Sequence, residues 1–364
     1  MAAQDPSPTR LKELEREIGT YWRVFVDECD FYRRADFYGL QRLGFRSALE
    51  RGDCLAILPW RKRPGNVFGT KIQLVEGDRL SNPTGRPDSL TLSGGVELDE
   101  EGVAIGYHIS SFHPGDTSLM RRREWQEYAA YDSNGVRRVL HLYRQLRIGQ
   151  HRGVPYLAPV IEVIKQLGRY TEAEVMAAVI AGMFTAFATT EGREGIDTAD
   201  LVAGGAGAAV SNGETDVQLG YGAMIDLDKG ESVSFANPGR PNQAFDGFVL
   251  ALCRQVGMAL EMPYEVLVKH FTASYSASRA ALLELWMFVR GRRAWLVQEF
   301  CAPVYEAFMW EIASAGYVDM PGFLADPLAR RAYLAAEWIG DAMPTVDPVK
   351  EVQAAEKRLG LRLT

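Results

Sequence analysis

From Val175 to Ala188 every residue except Gly182 and Thr185 is apolar. A helix made from such a run has no face to turn toward water, so it must be enclosed, by its own chain or by further copies of it. Thr171 and Glu174 ahead of the run match the T-x-x-E capping box, in which hydroxyl and carboxylate each satisfy a backbone N–H of the first turn. This spacing predicts a helix start at Thr171, after a shorter helical piece at Leu157–Leu167. The run falls short of the ~18 residues of a membrane span. The N-terminal "MAAQDPSPTRLKELEREIG" lacks the apolar centre of a secretory signal, so a soluble chain without a membrane partner is expected.

The next segment of the chain is the opposite in character. Glu191–Glu231 is crowded with glycine and carries nine acidic residues against Arg193 and Lys229, a balance of -7 that equals the formal net charge of the whole chain. With 364 residues, 47% hydrophobic and 24% charged, the sequence suits two or three packed units. Forty Lys and Arg against 47 Asp and Glu argue against a uniformly basic, nucleic-acid-coating surface, while a localised basic face stays open. Cys29, Cys54, Cys253 and Cys301 are widely separated without CxxC spacing, which points away from a zinc ribbon or disulfide framework and toward a reducing cytosol.

On either side of this centre the pattern is mixed. Before His151, helical periodicity places Leu11, Leu14, Ile18, Trp22 and Phe25 on one face. "CLAILPW" and "TKIQLVE" read as strands, and "GGVELDEEGVAIGYHISSF" reads as a hairpin turning at Asp99–Gly102. After Pro241, Phe245–Leu260 reads as a helix ended by Met262–Pro263. A polar, Ser-rich link comes next. Ala277–Ala315 then forms a long helix with Ser276 as N-cap and a kink at Pro303. The fold class is α+β.

Catalytic patterns are sparse. His108, His113 and Asp116 in "YHISSFHPGD" have residue types that ligate a divalent metal, which makes a small metal-dependent hydrolase the alternative function. Two histidines five apart on a strand and its turn do not share a face, however, and neither a GxSxG elbow nor a GxxxxGK[ST] loop is present. "AGGAGAAV" has glycine but not the spacing or preceding strand of a nucleotide fingerprint. No cofactor is expected. The cationic features are more distinct: Arg121–Arg152 holds eight arginines against Glu124, Glu127 and Asp132. Arg290, Arg292 and Arg293 form a second cluster, and Lys269 with His270 a third. Such clusters pair with phosphates or with carboxylates of another subunit.

The ordered stretches "HPGD", "RQLRIGQHRGVPYLAPVIEVIKQLGRYTEAEVMAA", "YSASRAALLELWMFVRGRRAWLVQEF" and "AEWIGDAMPTVDPVKEVQAA" together resemble the portal proteins of lambda-type tailed bacteriophages, from about Trp22 to Thr364. The resemblance implies a non-enzymatic ring of about twelve subunits at the head vertex of a virion, assembled in the bacterial cytoplasm. Double-stranded DNA would be packed and ejected through it without sequence specificity. It also implies as partners the terminase large subunit, a head-tail adaptor, and the major capsid and scaffold proteins. The family plan divides the chain into a wing (1–150), a helix leading through the stem (151–190), a clip (191–240) and a second stem helix (241–262). A tunnel loop (263–276), a long wing helix (277–320) and the beginning of a crown (321–364) complete it. By comparison with the family, the chain is expected to be abbreviated at both ends. On this plan Lys269, His270 and Arg279 are the DNA-channel candidates. Arg147, Arg152, Arg290, Arg292 and Arg293 are the inter-subunit or phosphate-contact candidates.

Overall fold

A computed structural model describes residues 8–116, 122–182, 186–190, 231–235, 244–271, 274–342 and 348–360. The chain divides into two units, residues 1–159 with 260–364, and residues 160–259.

The first unit opens with α1 (Pro8–Glu28) and α2 (Phe37–Arg51), the latter capped by Asp36, whose side chain accepts from the Gly39 N–H. Strand β1 (Asp53–Ile57) lies at the centre of a three-stranded antiparallel sheet, between β2 (Gln73–Glu76) and β7 (Val139–Tyr143). A second antiparallel sheet runs in the order β3 (Leu92–Ser93), β4 (Val96–Leu98), β5 (Ala104–Ser110), β6 (Trp125–Ala129). The hairpin expected at Asp99–Gly102 is present: Asp99 accepts from the N–H groups of Glu101 and Val103, and Gly102 takes φ 85°.

Because side chains alternate along a strand, β1 serves two cores. Cys54 and Ala56 join Phe25, Phe37, Phe300 and Phe308, whereas Leu55 and Ile57 join Val75, Val96, Tyr107 and Ile109. In the first core Trp22 meets Phe25, Phe37, Tyr305 and Phe308 at ring-centroid distances of 5.1–5.4 Å.

In the second unit, α3 spans Ile161–Gly182 as one helix and Ala186–Thr190 is a strand, so both the separate start expected at Thr171 and the helix expected to run on to Ala188 are corrected. The Thr171 hydroxyl instead donates back to the carbonyls of Leu167 (3.0 Å) and Gly168 (2.8 Å), a mid-helix use of a residue that also suits caps. Strands β8 (Ala186–Thr190) and β9 (Glu231–Phe235) pair antiparallel. Helix α4 (Phe245–Ala259) packs on α3 through Tyr170, whose ring lies 5.5 Å from Phe245 and 4.7 Å from Phe248. Val175, Met176 and Val179 on α3 stay 62%, 56% and 49% exposed. Phe184 and most of the acidic stretch lie outside the described residues.

The chain re-enters the first unit through the short α5 (Tyr264–Leu267) and then α6 (Tyr275–Leu296). The cap of α6 is Ser274, not Ser276: its hydroxyl accepts from the Ala277 N–H at 3.5 Å. A π-turn at Val297–Cys301 carries the helix into α7 (Ala302–Ser314), directly ahead of Pro303, which has no N–H for an α-helical bond. From Phe300 onward this helix is core, whereas α6 has no fully buried residue among those described. Helices α8 (Pro327–Tyr333) and α9 (Pro348–Gly360) complete the chain order.

Candidate functional site

Two places in the first unit carry most of the residues singled out by sequence. One is the elbow after β7. Gln150 braces it: its Oε1 accepts from the N–H of Leu146 (2.8 Å), its Nε2 donates to the Arg152 carbonyl (2.7 Å), and its own carbonyl accepts from the Tyr143 hydroxyl (2.9 Å). Arg152 then turns inward. Its Nε lies 2.5 Å from Asp53 Oδ2 and its Nη2 3.3 Å from Oδ1. The remaining donors reach the carbonyls of Leu80 (2.7 Å), Gly94 (2.6 Å) and Gly77 (2.9 Å). All five guanidinium N–H groups are thereby occupied within the chain. Within one copy, Arg152 is thus held in an internal clamp.

Asp53 is the floor of this clamp. Burial pushes its carboxyl up, but hydrogen bonds from His141 (3.2 Å) and Arg152 outweigh that and hold it at about 2. Burial holds the His141 imidazole below its ordinary value, against the pull of Asp53. Neither Asp53 nor His141 was marked by sequence reasoning. They are 99 and 88 residues from Arg152 and from Asp53 respectively, with no local motif to join them. Next to the clamp Gly153 meets Gly52 so closely that a Cβ on Gly153 would overlap the Gly52 carbonyl. Arg147 stays exposed, and with His151, Gln150 and Leu146 it lines an open cleft of about 550 Å³.

The second place is the link between α5 and α6. Lys269 adopts φ 54°. Its N–H donates to the Val266 carbonyl (3.3 Å) and that of His270 to the Glu265 carbonyl (3.0 Å). These two bonds form a Schellman motif, in which the left-handed position usually belongs to glycine. Lys269, His270 and Phe271 are exposed, as is Arg279 on the first turns of α6. Of the α6 arginines, Arg290 is exposed. Arg292 is sandwiched, its Cζ 4.9 Å from the Tyr156 ring and 4.8 Å from Phe288. Burial, with Arg144 nearby, holds its pKa below the ordinary value. Arg293 lies over Trp286 and donates to the Asp341 carbonyl at 2.6 Å. These internal contacts use Arg292 and Arg293 as packing elements and leave Arg290 presented to solvent.

His108, His113 and Asp116 form no joint site. His108 faces Glu97 at 3.6 Å, and His113 faces Asp78 at 3.2 Å and Glu76 at 3.7 Å. No group of three metal-ligating side chains occurs among the described residues.

The family model described as phage portal protein, lambda family, matches residues 2–293. The chain belongs to this family. Portal protein B of Escherichia phage lambda is 24% identical to it, over 94% of this chain and 68% of that protein. The portal protein of Escherichia phage N15 is 23% identical over the same shares. Among solved structures, the virion of a native gene transfer agent particle matches with TM-score 0.46 and 13% identity, over 91% of this chain and 89% of the other. The neck of the native particle, computed with C12 symmetry, matches with TM-score 0.46 and 13% identity over 93% and 97%. As a portal protein the chain is a structural component rather than an enzyme, and the metal-dependent hydrolase alternative has no support. No helix among the described residues is long and apolar enough to cross a membrane.

Proposed function

We propose that the chain closes into a ring of about twelve copies, each repeating one head-to-tail interface, and that this ring is the DNA conduit at a phage head vertex. The observation that carries the reading, beside family membership, is the apolar strip of Val175, Met176 and Val179, about half or more exposed on a single copy. Equivalent helices standing side by side would cover it, at ~25 cal/mol for each Å² of apolar surface removed from water.

In this reading 1–150 and 277–320 are wing, 151–190 and 241–262 stem, 191–240 clip, 263–276 tunnel loop and 321–364 the start of the crown. Arg147 and Arg290, exposed on the wing, are the cations offered to a neighbouring copy. Lys269, His270 and Arg279 face the passing duplex and touch its phosphates without reading bases. An acidic clip suits this role, since a conduit with many phosphate contacts would bind DNA tightly and stall it. The packaging motor's terminase large subunit, a head-tail adaptor, and the capsid and scaffold proteins are the proposed partners.

Negative-stain images of the purified chain test the assembly: annular particles with a central hole are expected, and a uniform field of small solid particles would refute the ring.

A further inference from the structure

The loop joining α1 to α2 carries Phe31-Tyr32-Arg33-Arg34, and the loop joining β1 to β2 carries Trp60-Arg61-Lys62-Arg63. A bridge between Asp30 and Ile72 and another between Trp60 and Thr70 hold these loops side by side. The Phe31 ring is shared between them, with Arg63 Cζ 5.0 Å and Arg61 Cζ 5.9 Å from its centroid. Arg33 donates to the Asn66 side chain at 3.2 Å, and Arg34 lies 5.8 Å over Tyr32. Five cations drawn from two distant segments thus form one patch, rimmed by Trp60 (60% exposed) and Tyr32 (49% exposed).

The patch is held firmly by backbone bonds to nearby carboxylates, which leaves its cations without a direct ion pair among the described residues. The Asp30 carboxylate accepts from the N–H groups of Tyr32 (3.0 Å), Arg34 (2.6 Å) and Ala35 (3.1 Å), and Arg33 is kept at φ 58°. Glu28 is occupied by the N–H groups of Val67 and Phe68 and by Lys71. Glu311 is occupied by those of Gly69 and Thr70. None of Arg33, Arg34, Arg61, Lys62 and Arg63 forms an ion pair among the described residues. In a chain of net charge -7, such a concentration of cations without ion-pair partners favours a polyanion. Four of the five are arginines, whose planar donors suit phosphate oxygens, and rings already fix three of the guanidinium groups.

We propose that this patch binds the phosphate backbone of double-stranded DNA without sequence preference, as a contact separate from the 263–276 link. The proposal rests on the portal reading only for the presence of DNA, and ring formation is measured independently of it.

Binding of the purified chain to a labelled mixed-sequence duplex, followed by fluorescence anisotropy through a salt series, tests it. The combined Arg33→Ala, Arg61→Ala, Lys62→Ala variant is expected to lose about tenfold or more in affinity. Its slope of log K against log salt should shrink by about 2–3, because each neutralised phosphate contributes ~0.9. Arg33→Lys with Arg61→Lys should retain most of the slope. Should the triple variant misfold by circular dichroism, the exposed single change Lys62→Glu supplies the same comparison, with a smaller loss expected. A folded variant with unchanged affinity and slope would overturn the proposal. So would polyglutamate competing better than unlabelled duplex at equal charge, which would assign the patch to an acidic protein.

Discussion

Arg152 and Asp53 form a clamp in which one guanidinium joins the central strand of a sheet to three separate backbone carbonyls, with Nε 2.5 Å from Oδ2. The clamp fixes the chain beyond β7 at Arg152 and at Gly153, whose N–H donates to the same Asp53 carboxylate. Arg152→Ala leaves the Asp53 charge, 2% exposed at its side chain, without its main partner. A loss of about 3–5 kcal/mol is expected on removing one side of such a pair. Urea unfolding measures it, and Arg152→Lys should recover only part, since an ammonium cannot reproduce the fork.

The same site sets an acid limit. Asp53 gives up its proton more readily in the folded chain, at about 2 against an ordinary 3.8, so its stabilisation is complete above the ordinary value and lost as pH falls toward 2. His141 acts at higher pH. Burial disfavours its protonated form, so the unfolded chain takes up a proton first as pH drops below 6.5, and stability declines from there. Chemical denaturation across pH 2–7 should show both slopes. Asp53→Asn is expected to flatten the lower slope and His141→Gln the upper one.

Gly153→Ala tests the close approach behind the clamp. A methyl there meets the Gly52 carbonyl, which is backbone and cannot swing away. Overpacking of this kind costs about 1–3 kcal/mol. Thermal unfolding should register the loss, whereas Gly149→Ala nearby meets no neighbouring atom and is disfavoured only by its positive φ.

How much of this was legible in the sequence depended on whether the signal was local. The periodicity around Trp22, the Asp99–Gly102 turn and the long helix after the Ser-rich link all survive in the structure because each is decided by neighbours a few residues apart. Thr171 misled because a hydroxyl that can cap a helix can also bond back inside one. Ser274 and Ser276 stand two residues apart with like chemistry, and only backbone geometry chooses between them. Arg152 was visible as a cation, but its fate was decided by Asp53, Gly77, Leu80 and Gly94, which only tertiary folding assembles around it. The basic patch at Arg33 and Arg61 stayed hidden for the same reason, each four-residue run being ordinary on its own.

Lys269 sits where glycine would be easier. A side chain in the left-handed region costs about 1–2 kcal/mol, so Lys269→Gly should leave the fold intact or slightly stabilised. If the cation meets DNA, that variant should nonetheless package or retain DNA less well than the native chain. A thermal melt paired with a DNA-retention assay separates the two effects. Equal DNA retention would remove Lys269 from the conduit.

The central claim is that copies of this chain shelter each other's α3. Native mass spectrometry of the purified protein, alongside a Val175→Glu, Val179→Glu variant, tests it most directly. The native chain should appear as a closed species near twelve times its 40.4 kDa, and the variant as smaller forms. A native chain that stays a folded monomer of 40.4 kDa at high concentration would contradict the account.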